Sequence, residues 1–235
     1  MKPAELLFTQ GFGTRRECAA LVAHGLLEVE GLGVVDDVGR DLGAGTELWF
    51  RVRGGDRWPY RERALIVLNK PAGYECSLKP RHHPSVYSLL PAPLRTRGVQ
   101  PIGRLDEDTT GVLLFTDDGA LVHRLTSPRR HVAKVYEVRC KHPLDASQVE
   151  RLLAGVLLHD ENETVRAAAC EATGDCALRM TLTEGKYHQV KRMVAAVGNR
   201  VEALERSAFG DVRLAGLAAG AWRWSDAAAA SAVAR

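Results

Sequence analysis

Long apolar runs are missing from the chain. The clearest one, Ala64 to Leu68, falls far short of the ~20 residues that a helix needs to cross a bilayer. The opening Met1-Lys2-Pro3-Ala4-Glu5 has no apolar stretch behind it, so no secretory signal is expected. Cysteine is scarce and odd in number, with five residues scattered over 235. That argues against a disulfide scaffold and for reduced thiols in a cytoplasmic protein. Metal-binding spacing is also lacking. Cys170 and Cys176 are too far apart for a zinc knuckle and Cys140 with His142 is no better, so no metal site is expected. No charge sign dominates, the net charge being +3. What is present is an ordinary globular composition, 46% apolar and 26% charged, enough to bury a core.

The charge is unevenly spread. Residues 1–63 carry nine Lys/Arg against ten Asp/Glu, and residues 64–235 carry 23 against 19. Cys76 to Leu105 holds Lys79, Arg81, Arg95, Arg97 and Arg104 with no acid, and Arg124 to Lys141 holds six cations against Glu137. Two local basic clusters suit a polyanion as well as they suit a solvated surface.

The first part reads as a small αβ module over residues 1–53. Thr14-Arg15-Arg16-Glu17 forms a capping box, Cys18, Leu21 and Val22 follow at helical spacing, and Gly25 supplies the stop. Strands are predicted at Leu26 to Glu30 and Thr46 to Arg53. Residues 54–62, opening Gly54-Gly55-Asp56, read as a linker. A second domain is expected over 63–225, with strands at Ala64 to Leu68, Val112 to Phe115, Lys134 to Cys140 and Leu178 to Leu182. Helices are expected after the Asp145/Gln148 cap and over about His188 to Val197. The fold class is α/β (α+β), with a mostly antiparallel mixed sheet flanked by helices. Residues 226–235 read as a frayed Ala-rich tail.

The densest segment is Gly103-Arg104-Leu105-Asp106-Glu107-Asp108-Thr109-Thr110-Gly111. It reads three ways. It can be an acidic turn with local caps. It fits the D-x-D-x-T pattern of metal-dependent phosphatases of the haloacid dehalogenase type, although Pro101-Ile102-Gly103-Arg104 stands where that pattern wants a long apolar strand. Or Asp106 is a lone reactive carboxylate beside an arginine in an RNA-modifying enzyme.

The third reading gains from a resemblance. The run from Gly103 to Gly119 resembles the signature of pseudouridine synthases that act on ribosomal RNA. Leu68-Asn69-Lys70-Pro71-Ala72-Gly73-Tyr74, Ser127-Pro128-Arg129-Arg130-His131 with Lys134-Val135-Tyr136, and Glu184 to Met193 resemble three further motifs in the family's order. The Lys191-Arg192-Met193 form is similar to the RsuA branch. The N-terminal module resembles that branch's S-four-type RNA-binding domain through Thr14-Arg15-Arg16 and Val29-Glu30-Gly31, with Pro3-Ala4-Glu5 in place of a basic start.

The resemblance implies isomerisation of uridine to pseudouridine, with small-subunit rRNA or its assembly intermediate as partner and a sister enzyme of the large subunit as the alternative. The glycosidic bond breaks and the base rejoins through carbon, so no cofactor and no metal are required. Asp106 would be the nucleophile, or a carboxylate stabilising cationic sugar; attack on sugar or on base stays open. Lys191 would pair with it, Arg192 being the alternative, and a helix would set His188, Lys191 and Arg192 on one face. Tyr136 would stack on the flipped base. Arg104 would fill the gap left by the extruded nucleotide or grip phosphate, and Arg129, Arg130, His188, Arg192, Arg15 and Arg16 would contact RNA. A non-catalytic RNA-binding module is the rival class. The protein is expected to act as a monomer without a membrane.

Overall fold

The computed structural model describes residues 1–43, 47–159 and 161–225. They form two compact units, Met1–Ala64 with Leu90–Val99, and Leu65–Leu89 with Gln100–Arg235. The Ala-rich tail and the start of the strand expected at Thr46 lie outside the described residues.

In the first unit, helices α1 (Pro3–Thr9) and α2 (Arg15–Ala23) pack together. Pro3 suits the first helical turn, where its missing N–H costs nothing. The Thr14–Glu17 box closes α2 from both sides. An antiparallel sheet has the order β2 (Gly33–Val35), β1 (Leu27–Val29), β3 (Trp49–Val52), β4 (Trp58–Pro59). Part of the segment expected to be a linker is therefore a strand: Trp58 is opposite Phe50, and the Phe12 ring meets both edge-on at 5.4 and 5.5 Å. The Gly-Gly-Asp turn signal was real, but it makes a hairpin end, because a large buried ring follows it. Residues 90–99, with the short helix α3 (Ala92–Thr96), cluster with this unit. Gln10 is buried and gives its carboxamide to Arg61 and Arg97.

The second unit is a nine-stranded sheet with the order β11 (Ala169–Gly174), β12 (Ala177–Leu182), β8 (Lys134–Cys140), β13 (Val201–Phe209), β7 (Thr110–Thr116), β5 (Leu65–Lys70), β15 (Trp222–Trp224). Strand β14 (Val212–Arg213) adds to β13 and β6 (Gln100–Pro101) to β7. Every pairing in this sheet is antiparallel except β7 with β13. A separate two-stranded ribbon joins β9 (Val156–Leu157) and β10 (Thr164–Val165). Helices α4 (Gly119–Thr126), α5 (Ala146–Ala154) and α6 (Gln189–Ala196) flank the sheets.

The pattern follows from the side chains. Strands β5 and β7 are apolar through their middles and buried at every position but Asn69 and Thr110, as central strands covered on both faces require. Leu65, Val67, Val112, Leu114, Leu121, Leu125, Val132 and Phe209 share one core. Gly111 is forced: its φ is +103°, and a Cβ there would lie 2.3 Å from the Arg206 carbonyl oxygen. Only glycine lets β13 approach β7 so closely.

No helix among the described residues is long and apolar enough to cross a membrane. All five cysteines are free; Cys18 and Cys140 are buried and the other three are only partly so.

Candidate active site

The acidic segment sits between β6 and β7, as a tight turn held by a buried lysine. The Lys70 ammonium, fully buried at the end of β5, donates to the carbonyls of Pro71, Glu107 and Thr109 at 3.0, 3.0 and 2.9 Å. Burial pushes its pKa down. Gly73 N–H donates to the Glu107 carbonyl at 2.8 Å. The turn is thus fixed through its backbone, leaving the carboxylates free for other partners.

Asp106 meets a lysine and a histidine. Its Oδ2 is 3.1 Å from Lys191 Nζ and its Oδ1 is 3.3 Å from His188 Nε2. Lys191 also donates to Asp108 at 2.6 Å. Burial works against the Lys191 ammonium, but the hydrogen bonds to Asp108 and Asp106 outweigh it and raise its pKa. Lys191 stays charged beside Asp106.

The expected helical face is only partly realised. Helix α6 starts at Gln189, and His188 is its N-cap with left-handed backbone, φ +48°. The His188 ring stacks on Tyr187 with centroids 3.7 Å apart. Arg192 does not join Asp106; its guanidinium donates to the Tyr187 carbonyl and lies 3.7 Å from Glu161. One turn of helix, starting one residue late, sends the longer side chain to another carboxylate.

Beside Asp106 is a cavity of about 200 Å³, below the ~300 Å³ at which drug-sized pockets begin. Its floor is the sheet: Lys134 and Tyr136 on β8, Leu182 at the end of β12, and Leu204, Arg206 and Phe209 on β13. Its rim is Gly103 to Asp106 and the segment from Thr183 to Val190. Tyr136 is directly opposite Arg206 on one side and Met180 on the other.

Of the residues expected from the sequence, Asp106, Tyr136, Arg104 and His188 line this cavity, and Lys191 reaches Asp106. Arg104 is exposed. Arg129 and Arg130 lie away from the cavity lining, exposed in the turn Pro128–Arg130. Arg15 and Arg16 are exposed at the start of α2 in the other unit, Arg15 lying 4.3 Å over the Phe8 ring.

Sequence reasoning did not single out Lys70, Lys134, Asp108 or Arg206. The first three stood inside quoted motifs; Arg206 had no local signal, because its place depends on the register of β13.

The phosphatase pattern does not survive the fold. It requires its first Asp at the end of a strand in a parallel sheet, whereas Asp106 lies in a turn before β7 in a sheet with one parallel pair. Among the described residues no group of three His, Cys, Asp or Glu is arranged to hold a metal ion.

The comparisons agree with this geometry. The profile of the RNA pseudouridylate synthase family matches residues 64–196. The chain is 45% identical over 159 residues to the ribosomal small subunit pseudouridine synthase A of Escherichia coli K12, covering 67% of this chain and 68% of that protein. With the Yersinia pestis protein of the same name it shares 45% over 149 residues, and the match spans 63% of each chain. An uncharacterized RNA pseudouridine synthase of Bacillus subtilis, YtzG, is 37% identical over 218 residues, 91% of this chain and 90% of that one. A crystal structure of a pseudouridylate synthase superposes over 99% of both chains with a TM-score of 0.69 at 30% identity. The chain belongs to the RNA pseudouridylate synthase family.

Proposed function

We propose that this protein converts a uridine of small-subunit ribosomal RNA into pseudouridine, with Asp106 as the reactive carboxylate. The observation that carries this reading is the placement of Asp106 at a base-sized cavity, between Lys191 and the sheet floor that holds Tyr136. The target is suggested by the names of the 45%-identical relatives.

The geometry supports a division of labour. Asp106, 3.1 Å from Lys191, acts either by attack or by stabilising cationic sugar. The Tyr136 ring, 9% exposed and on the cavity floor, stacks on the extruded uracil. Arg104, exposed at the rim, occupies the space that the base leaves. The exposed Arg129 and Arg130 grip phosphates. The first unit serves as an S-four-type RNA-binding module through Arg15 and Arg16. The protein works in the cytoplasm as a monomer, which sedimentation checks directly.

The test is release of tritium from small-subunit rRNA labelled at uracil C5, followed by mapping of pseudouridine in the product. Turnover by wild-type protein with none by Asp106→Asn supports the reading. Turnover by a folded Asp106→Asn protein overturns the role of Asp106. Replacing Arg129 and Arg130 with Gln should lower the slope of log affinity against log salt by about two, equally for unrelated RNAs.

A further inference from the structure

The cavity holds more positive charge than its carboxylates neutralise. Lys191 already serves Asp106 and Asp108. Two further cations, Lys134 and Arg206, lie in the floor, and among the described residues neither is in an ion pair. Arg206 is 1% exposed. Its Nε donates to the Val112 carbonyl at 2.8 Å, which fixes the side chain, while its Nη2 is buried with no hydrogen-bond partner. Lys134 Nζ has one partner, the Val132 carbonyl at 3.0 Å. Both cations lie over the Phe209 ring, at 5.3 and 5.4 Å from its centroid. A buried guanidinium donor left without an acceptor costs stability, and two like charges on one ring add to that cost. Such an arrangement is retained where a ligand brings the missing acceptor.

The reaction proposed above supplies one. When the bond between ribose C1′ and uracil N1 breaks, its electron pair goes to the ring and spreads over N1, O2 and O4. After the ring turns, a pair on the ring makes the bond from C5 to C1′. The C5 proton passes to solvent and N1 gains a proton, so nothing is added overall. Addition of a carboxylate to the ring would also place negative charge on a carbonyl oxygen of the base. On every such route the base passes through an anionic state, and its two carbonyl oxygens are acceptors.

We propose that Arg206, with Lys134 beside it, is a catalytic residue that donates to a uracil carbonyl oxygen and holds the negative charge gathered by the base. Fixed donors aimed at developing charge in a water-poor site act strongly on rate. Where that oxygen is O4, the same donors favour uracil over cytosine, whose C4 amino group would meet a donor with a donor.

Lys134 adds a pH signature. Burial, with the Arg206 charge next in weight, brings its pKa down to about 8. The charged groups around the cavity are Arg206 on β13, Asp106 and Arg104 before β7, and Glu184, Lys186 and His188 after β12. Lys134 gives up its proton as pH rises through about 8. The donor role of Lys134 is therefore present below about pH 8 and lost above it.

The inference rests on the isomerase reading, and single-turnover tritium release with protein in excess separates the two. Wild-type protein that releases no tritium from C5-labelled small-subunit rRNA removes the reaction itself. If wild type turns over, Arg206→Gln should slow the chemical step about 100-fold or more. Its affinity for the same RNA by filter binding, and the salt slope, should stay as in wild type. A variant that loses affinity with a salt slope smaller by about one, yet reacts at the wild-type rate when saturated, would show a phosphate grip and overturn the assignment. Arg206 is buried, so Lys134→Met and Lys134→Arg decide the matter if Arg206→Gln fails to fold. Lys134→Met should slow the saturated rate without loss of affinity. Lys134→Arg should keep the rate and abolish the alkaline decline that wild type shows above about pH 8. Wild-type rates for Lys134→Met from pH 6 to 9 would equally overturn the proposal.

Discussion

Two lysines meet the turn at residues 106–109, and they do so by different chemistry. Lys70 is fully buried, donates to three carbonyls and has its pKa lowered by burial. Lys191 is about one quarter exposed, touches two carboxylates and has its pKa raised by them. Carbonyl ligation fixes where the backbone goes and is indifferent to the side chains it carries. Carboxylate pairing holds the acid side chains and leaves the backbone alone. The segment around Asp106 has both, a backbone held by Lys70 and a side chain paired with Lys191.

The contrast can be broken at several points. Asp106→Asn removes the charge that Lys191 serves and keeps the turn, so activity should fall at least about 1,000-fold with an unchanged denaturation midpoint. Tritium release alongside urea melts checks both halves. Lys70→Met should strike both properties at once. Three carbonyls lose their buried donor, a cost of about 3 kcal/mol, and the displaced turn should carry activity down with stability. An inactive Lys70→Met protein with wild-type stability would show that Lys70 acts on charge after all.

Lys191→Met should separate the properties in the other direction. Its pairs are partly exposed, so stability should shift by no more than about 1 kcal/mol, while the rate falls about 100-fold. The smallest effect belongs to the loop after Gly73. There the exposed Glu75 carboxylate accepts the backbone N–H groups of Arg81, His82 and His83 at 3.0, 2.8 and 2.9 Å, and these bonds hold its pKa at about 2. A lowered carboxylate pKa orders the loop above its ordinary value, and that order is lost as pH falls through about 2. Glu75→Gln should speed amide exchange at Arg81 to His83 near neutral pH and change activity least of the four.

Legibility followed the range of the interactions. The Thr14–Glu17 and Asp145–Gln148 boxes are written within four residues, and both helices begin where those boxes lie. Lys134 to Cys140 reads as a strand by itself and forms one. Trp58–Pro59 looked like part of a linker because its strand character depends on Phe50, eight residues away across a turn. Residues 90–99 carry no mark of the unit they cluster with. In the site, Asp106 and Tyr136 could be named from ordered motifs. Arg206 could not, since its position opposite Tyr136 follows from a strand register with irregularities on either side of it.

The parallel seam between β7 and β13 also sets a clock. Arg206 Nε and the Val112 carbonyl that fixes it are 94 residues apart in the chain. Closing so long a loop is slow, because its entropy must be surrendered before the contact repays it. During synthesis Asp106 and Tyr136 leave the ribosome first, and the cavity lacks a wall until β13 follows. A nascent chain therefore carries its acid long before it carries a site, and it acquires competence for chemistry late and all at once, when β13 slides against Gly111.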